Sequence, residues 1–283
     1  MKKRKFRGEI DRRVAPFLPG LITTAGLCFG LLSIGVSFRI AAGVEYPSEL
    51  AWRGAVFIGI AMVLDMLDGR VARAFGIDNR FGVIYDSLSD TVCFGVAPAA
   101  LVFSLFGGLA SPVLNIGLMI YTVCVALRLA RFNIQSASKE KRSFMGLPSP
   151  MAAGFLVSPI FVASALGAVP FPDEMALFYA VAAPVAGFFM VSAIRYRKVG
   201  FFSLGRFSGG KRFDFLATSS VLIVVVAINP GLSLAVVSVL YFLSGPLFQV
   251  LKPLRSGGEA VLETGNEQGG DSAVSEDETG GGV

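Results

Sequence analysis

Histidine is missing from the chain altogether, and only 16% of its 283 residues are charged. The first absence removes the commonest metal ligand and the usual neutral-pH base, so acid–base chemistry falls to carboxylates, Lys, Tyr or Cys. The second excludes an ordinary soluble domain, in which about a quarter of the residues are charged. With 54% hydrophobic residues and a mean hydropathy of +0.68, the composition is that of a polytopic membrane protein. Cysteine is scarce too. Cys28, Cys93 and Cys124 each lie alone in an apolar run without metal-site spacing, and they read as buried inert thiols that carry no information on redox compartment. No internal repeat is evident, and nothing points to nucleic acid as a partner.

What the chain has in quantity is long apolar runs. The first, at about 17–38, is too long for the core of a cleaved signal peptide and suits a first membrane helix. Others follow at about 51–67, 87–106, 112–131, 149–169, 174–194, 214–229 and 232–251. The expected fold class is therefore all-α, a polytopic transmembrane helical bundle of about eight spans. Residues 1–14 form a basic arm suited to the anionic cytoplasmic face of the bilayer, 15–252 the transmembrane domain, and 253–283 a tail. From Ser256 onward that tail holds seven Asp or Glu and no Lys or Arg, so it is expected to be disordered and is assigned no chemistry. Charge orients the bundle. With the N-terminus inside, only Arg39 and Arg53 of the 25 Lys and Arg fall outside, which places both termini in the cytoplasm.

One segment breaks the apolar pattern. Residues 65–90 place four carboxylates in or beside apolar runs. Asp65, Asp68 and Ala72 share one helical face at i, i+3, i+7, and Gly82, Asp86 and Asp90 share another at i, i+4, i+8. A turn around Gly76 and Asp78-Asn79 would bring the two helices back antiparallel, with their acidic faces opposed at the cytoplasmic border. Carboxylates that close cannot all stay ionised unless cations sit among them. Oxygen ligands without His or Cys favour Mg²⁺, Mn²⁺ or Ca²⁺. A single intramembrane Asp is as readily a straggler at a helix end. Four of them are a different matter when interleaved with Gly69, Ala72 and Gly82, which let a bulky ligand approach the backbone, and with Arg73, a planar fork for phosphate.

The segment fits the pattern D-x2-D-G-x2-A-R-x8-G-x3-D-x3-D at every fixed position: Asp65, Asp68, Gly69, Ala72, Arg73, Gly82, Asp86 and Asp90. Chance would produce that match in a chain this long on the order of once in ten million, so the segment is taken to resemble the CDP-alcohol phosphotransferase family. The resemblance implies a CDP-linked donor cleaved with release of CMP, and two divalent ions, Mg²⁺ or Mn²⁺. It implies that Asp65, Asp68 and Asp86 are metal ligands, and that Asp90 is the general base and a further ligand. Gly69, Ala72, Arg73 and Gly82 would frame the nucleotide and its phosphates. The lack of His agrees with this, because a carboxylate beside the metals is then the best-placed proton acceptor. The active site is expected at the cytoplasmic side, between the second and third helices. One departure stands out. Family members often carry Pro-Asn near the start of the first span, whereas this chain has Pro19-Gly20, with Thr23 the only nearby substitute.

A second window concerns the acceptor. Taken alone, Arg128 and Arg131 are dipole-complementing interface anchors at a helix end. Yet A-R-F-N at 130–133 and F-M-G-L-P-S-P at 144–150 resemble the bacterial and archaeal phosphatidylserine synthase branch of the family. That branch implies CDP-diacylglycerol and L-serine as substrates, with Arg131 suited to the serine carboxylate and Asn133 to either of its polar groups. Choline, inositol or glycerol phosphate stays open as the acceptor. From another class, so does a cation-coupled transporter, although its acids would sit nearer the midplane on broken helices. The resemblance further implies a homodimer surrounded by membrane lipids.

Overall fold

The structure is a computed structural model that describes residues 18–43, 47–75, 80–106, 111–137, 146–165, 173–192, 194, 233 and 235–245. The basic arm, the turn expected around Gly76 and Asp78-Asn79, the span expected at 214–229 and the acidic tail lie outside the described residues.

The chain forms α1 (Leu18–Ala41), α2 (Pro47–Phe75), α3 (Arg80–Asp90), α4 (Ala97–Leu105), α5 (Pro112–Ala137), α6 (Ser149–Ala165) and α7 (Asp173–Val191). A short apolar helix, α8 (Ala235–Gly245), follows. There is no strand among the described residues. The all-helical membrane bundle is as expected. By length and composition, five segments among the described residues can cross a bilayer: α1, α2, the continuous rod Arg80–Leu105, α5 and α7. Helix α6 and α8 are shorter. Two boundaries matter for the site. Helix α2 continues past the apolar run to Phe75, and the third rod begins at Arg80, so both acidic motifs are fully helical.

Packing follows the rule that lipid is as apolar as the core, so close approach of small residues, rather than polarity, selects the buried faces. Leu21, Phe38, Met119 and Leu177 point outward, while Ala51, Ala55, Ile58 and Ala61 of α2 are buried. Helix α1 packs along α2, and α5 along α7. In the first pair, the Ser33 hydroxyl donates to the Gly54 carbonyl at 3.0 Å. At Gly30 a Cβ would stand only 2.7 Å from Cys93 Sγ, so its lack of a side chain lets the third rod close on α1.

That rod contains a widened turn. Between α3 and α4, Thr91–Val96 is π-helical, and the Ala97 N–H reaches back five residues to the Val92 carbonyl. The cause is Pro98 in the first turn of α4. Proline has no N–H for the carbonyl four residues back, and its ring crowds that carbonyl. The carbonyl in question belongs to Phe94, and the Tyr121 hydroxyl of α5 donates to it at 2.6 Å. The helix therefore passes a proline without leaving a buried carbonyl unmet, and α5 is tied to the turn that follows Asp90.

A second tie secures the start of α6. Gly146 adopts φ +90°, a conformation that other residues resist. Its N–H donates to the Ile194 carbonyl at 2.8 Å, and the Leu147 N–H to the Phe189 carbonyl at 3.1 Å. A Cβ on Gly146 would run into the Met190 carbonyl. The G-L-P stretch of the second window thus has a packing role: it clips the approach to α6 onto the end of α7.

Candidate active site

The two acidic helix faces do meet. The Asp65, Asp68 and Asp86 carboxylates each offer an oxygen, and these oxygens lie within 4.8 Å of one another. Asp65 and Asp68 stand one turn apart on α2, and Asp86 comes from α3. Asp68 is buried, and Asp65, Asp86 and Asp90 are half-buried. Asp90 lines the same cleft. The cleft has an empty volume of about 190 Å³, its open mouth included, and Thr23 and Gly26 of α1, Ala61 of α2 and Ser89, Cys93 and Phe94 of the third rod complete its wall.

Two like charges 4.8 Å apart repel by about 3.5 kcal/mol at an effective dielectric of about 20, so three such anions need a counter-charge. The donor set is all oxygen, carries up to three negative charges and is drawn from two rigid helices. It fits a hard divalent cation, for which Asp65, Asp68 and Asp86 would be the protein ligands.

The other residues expected in the site divide by position. Gly69 and Ala72 follow Asp68 on α2 and are half-buried, whereas the Arg73 side chain lies outside the described residues. At Gly82 a Cβ would meet nothing within 4 Å, so open space lies before that backbone. Asn133 of α5 accepts a hydrogen bond from Ser87 Oγ at 3.0 Å, which brings it beside the acidic helix. Arg131 donates through Nη1 to the Val191 carbonyl at 2.8 Å, at the end of α7.

Three further residues belong to the site, and their parts in it depend on contacts the sequence does not display. Thr23 donates through Oγ1 to Asp68 Oδ2 at 2.8 Å. It is thus bonded to an acid of the cluster, three residues after Gly20, which stands where family members often carry Asn. Arg128 does more than anchor an interface. It donates to Ser149 Oγ at 2.9 Å, and its charge acts on Asp90 and Asp65. Its spacing of three from Arg131 was the only sequence signal, and that spacing is equally that of an interface anchor. Cys93, buried as expected, lines the cleft and donates to the Gly26 carbonyl at 3.4 Å. Cys124 is also buried, whereas Cys28 is exposed, contrary to its reading as a buried thiol.

The chain is 38% identical over 141 residues to a CDP-diacylglycerol–serine O-phosphatidyltransferase of Mycobacterium leprae, covering 48% of this chain and 44% of that protein. It is 34% identical over 140 residues to the protein of the same name from Helicobacter pylori, covering 49% and 55%. To the archaetidylserine synthase of Methanothermobacter thermautotrophicus it is 33% identical over 194 residues, covering 67% and 74%. The chain spans about half the length of the first two relatives. A sequence profile of the CDP-alcohol phosphatidyltransferase family matches residues 16–194, a stretch that holds every cleft residue described above, and the chain belongs to that family.

Proposed function

We propose that the chain transfers the phosphatidyl group of CDP-diacylglycerol to L-serine, giving phosphatidylserine and CMP. The observation that carries this reading is the meeting of Asp65, Asp68 and Asp86 within 4.8 Å, with Asp90 in the same cleft. Serine as the acceptor is supported by the relatives, whose names share serine while differing in the lipid.

In this reading Asp65, Asp68 and Asp86 would hold two Mg²⁺ or Mn²⁺ ions, with Asp90 as a further ligand. Bound there, such ions would supply positive charge to neutralise the diphosphate and the charge developing on the departing CMP. Asp90 accepts the hydroxyl proton of serine. The serine oxygen forms a bond to the phosphorus that carries diacylglycerol, and the bond from that phosphorus to the CMP oxygen breaks, so CMP leaves with the electron pair. Gly69, Ala72 and Gly82 give the donor close access to the backbone, and Arg73 pairs with its phosphates. Arg128, whose charge acts on Asp90, favours the ionised form of that carboxylate. Arg131 and Asn133 hold the serine carboxylate and ammonium. The site faces the cytoplasm, where nucleotides are, both termini lie on that side of the cytoplasmic membrane, and the enzyme is a homodimer.

Purified full-length protein with Mg²⁺ or Mn²⁺ should release CMP from CDP-diacylglycerol when serine is supplied. Glycerol phosphate, inositol and choline should be poor acceptors. Preference for one of these would move the chain to another branch of the family. Cation flux without CMP release would mark it as a transporter.

The acceptor assignment has its own test. Arg131→Lys keeps the charge but loses the planar fork, at a cost of about 1–3 kcal/mol. The KM for serine should therefore rise more than the KM for CDP-diacylglycerol. If the serine KM is unchanged while the melting temperature falls, Arg131 serves only its bond to the Val191 carbonyl.

A further inference from the structure

The acidic cluster is built from α2 and α3, yet its most buried member is held from a third helix. Asp68 is 5% exposed, and Thr23 of α1, 7% exposed, donates its hydroxyl proton to Asp68 Oδ2 at 2.8 Å. The Thr23 carbonyl in turn accepts from Ser89 Oγ of α3 at 3.4 Å. Its neighbour Thr24 gives its own proton to the Gly20 carbonyl at 2.6 Å, so the Tyr85 hydroxyl is the donor in the 2.9 Å bond between Tyr85 and Thr24. One turn of α1 therefore touches both acidic helices through side-chain and main-chain oxygens. We infer that Thr23 is a positioning residue for the metal centre, fixing the Asp68 carboxylate in the orientation that a divalent cation requires.

The physical reason lies in what a carboxylate ligand needs. Free to rotate about its terminal torsion, a carboxylate samples a broad, roughly two-fold range of orientations. A buried hydroxyl bonded to one oxygen favours one of them, and a carboxylate, with about four lone-pair sites, can accept that bond and still meet a cation. Ligand groups are ordinarily held by such outer partners, and losing one typically weakens metal binding by about 10–100-fold. Here the partner comes from 45 residues away in sequence, so the seating of α1 against α2 is part of the metal site.

This inference rests on the metal-centre reading above, and its test separates the two. Mn²⁺ binding to the full-length protein in detergent is measured by the loss of the free-ion EPR signal, without substrates and without turnover. Wild type should bind Mn²⁺. Thr23→Val, which exchanges the hydroxyl for a methyl group of nearly the same size, should bind it about 10–100-fold more weakly. Thr23→Ser, which keeps the donor, should stay close to wild type. If Thr23→Val folds poorly, Thr23→Ser and Thr23→Ala make the same comparison, since they differ by the hydroxyl alone. Equal Mn²⁺ affinity with and without the hydroxyl would overturn the role of Thr23 and leave the metal centre standing. Absence of Mn²⁺ binding in wild type would overturn the metal centre itself and the role of Thr23 with it.

Discussion

Asp68→Asn and Asp86→Asn should each abolish metal-dependent CMP release while leaving the helical bundle folded. Both residues contribute to the set of oxygens within 4.8 Å, so either change removes one charge and one strong ligand from a three-carboxylate site. A metal centre supplies several kcal/mol of charge stabilisation, so the rate should fall on the order of 10³-fold or more. Folding should be spared for a specific reason. The asparagine carbonyl can still accept the Thr23 hydroxyl, so the tie between α1 and α2 persists. Removing one of three mutually repelling anions should also ease the metal-free state, so without metal Asp68→Asn should melt no lower than wild type. The measurements are CMP release across a Mg²⁺ or Mn²⁺ titration and thermal unfolding in the presence of chelator. Robust turnover by either mutant, or by wild type in excess chelator, would remove these aspartates from the reaction.

For Asp90→Asn the expected pattern differs: kcat collapses while the affinity for CDP-diacylglycerol changes little. The amide preserves size and one oxygen but cannot take the serine hydroxyl proton, and losing a general base typically costs 10²–10⁴-fold in rate. Asp65, Asp68 and Asp86, the three acids whose oxygens converge, are untouched by the change, so the donor diphosphate keeps its anchorage. Single-turnover rates and equilibrium binding of CDP-diacylglycerol separate the two effects. Loss of donor binding together with turnover would show Asp90 to be chiefly a ligand. A kcat near wild type would send the proton elsewhere. Tyr85 is then a weak candidate, because its hydroxyl proton is already directed at Thr24.

Within a single helix the sequence was explicit. Spacings of three and four place Asp65 with Asp68, and Asp86 with Asp90, on shared faces, because the helical period is local and survives any tertiary arrangement. The pattern of eight fixed residues then named the family, and composition alone placed the chain in a membrane. One detail inside a helix was legible in principle and still missed. Pro98 within a span signals a disturbed turn, but the sequence does not say whether the helix breaks, kinks or widens. Here it widens into a π-helical turn, and Tyr121 from α5 donates to the carbonyl four residues before the proline.

Between helices the sequence was nearly silent, and the reason is the solvent. In water a helix shows its buried face by being apolar on one side only. Helix α1 is apolar nearly all round, since lipid and core ask for the same side chains, so nothing in its pattern reveals that Thr23 turns toward Asp68. The same ambiguity let Arg128 read as an interface anchor, although its charge acts on Asp90 and its guanidinium bonds Ser149 of α6. Gly146 looked like part of an acceptor motif, and only the approach of α7 shows that its backbone conformation and missing side chain are a packing requirement. Membership of the acidic cluster was determined by local periodicity. That the Thr23 hydroxyl bonds Asp68 was decided by the seating of α1 against the acidic helices, because only tertiary contact distinguishes one apolar helix face from another.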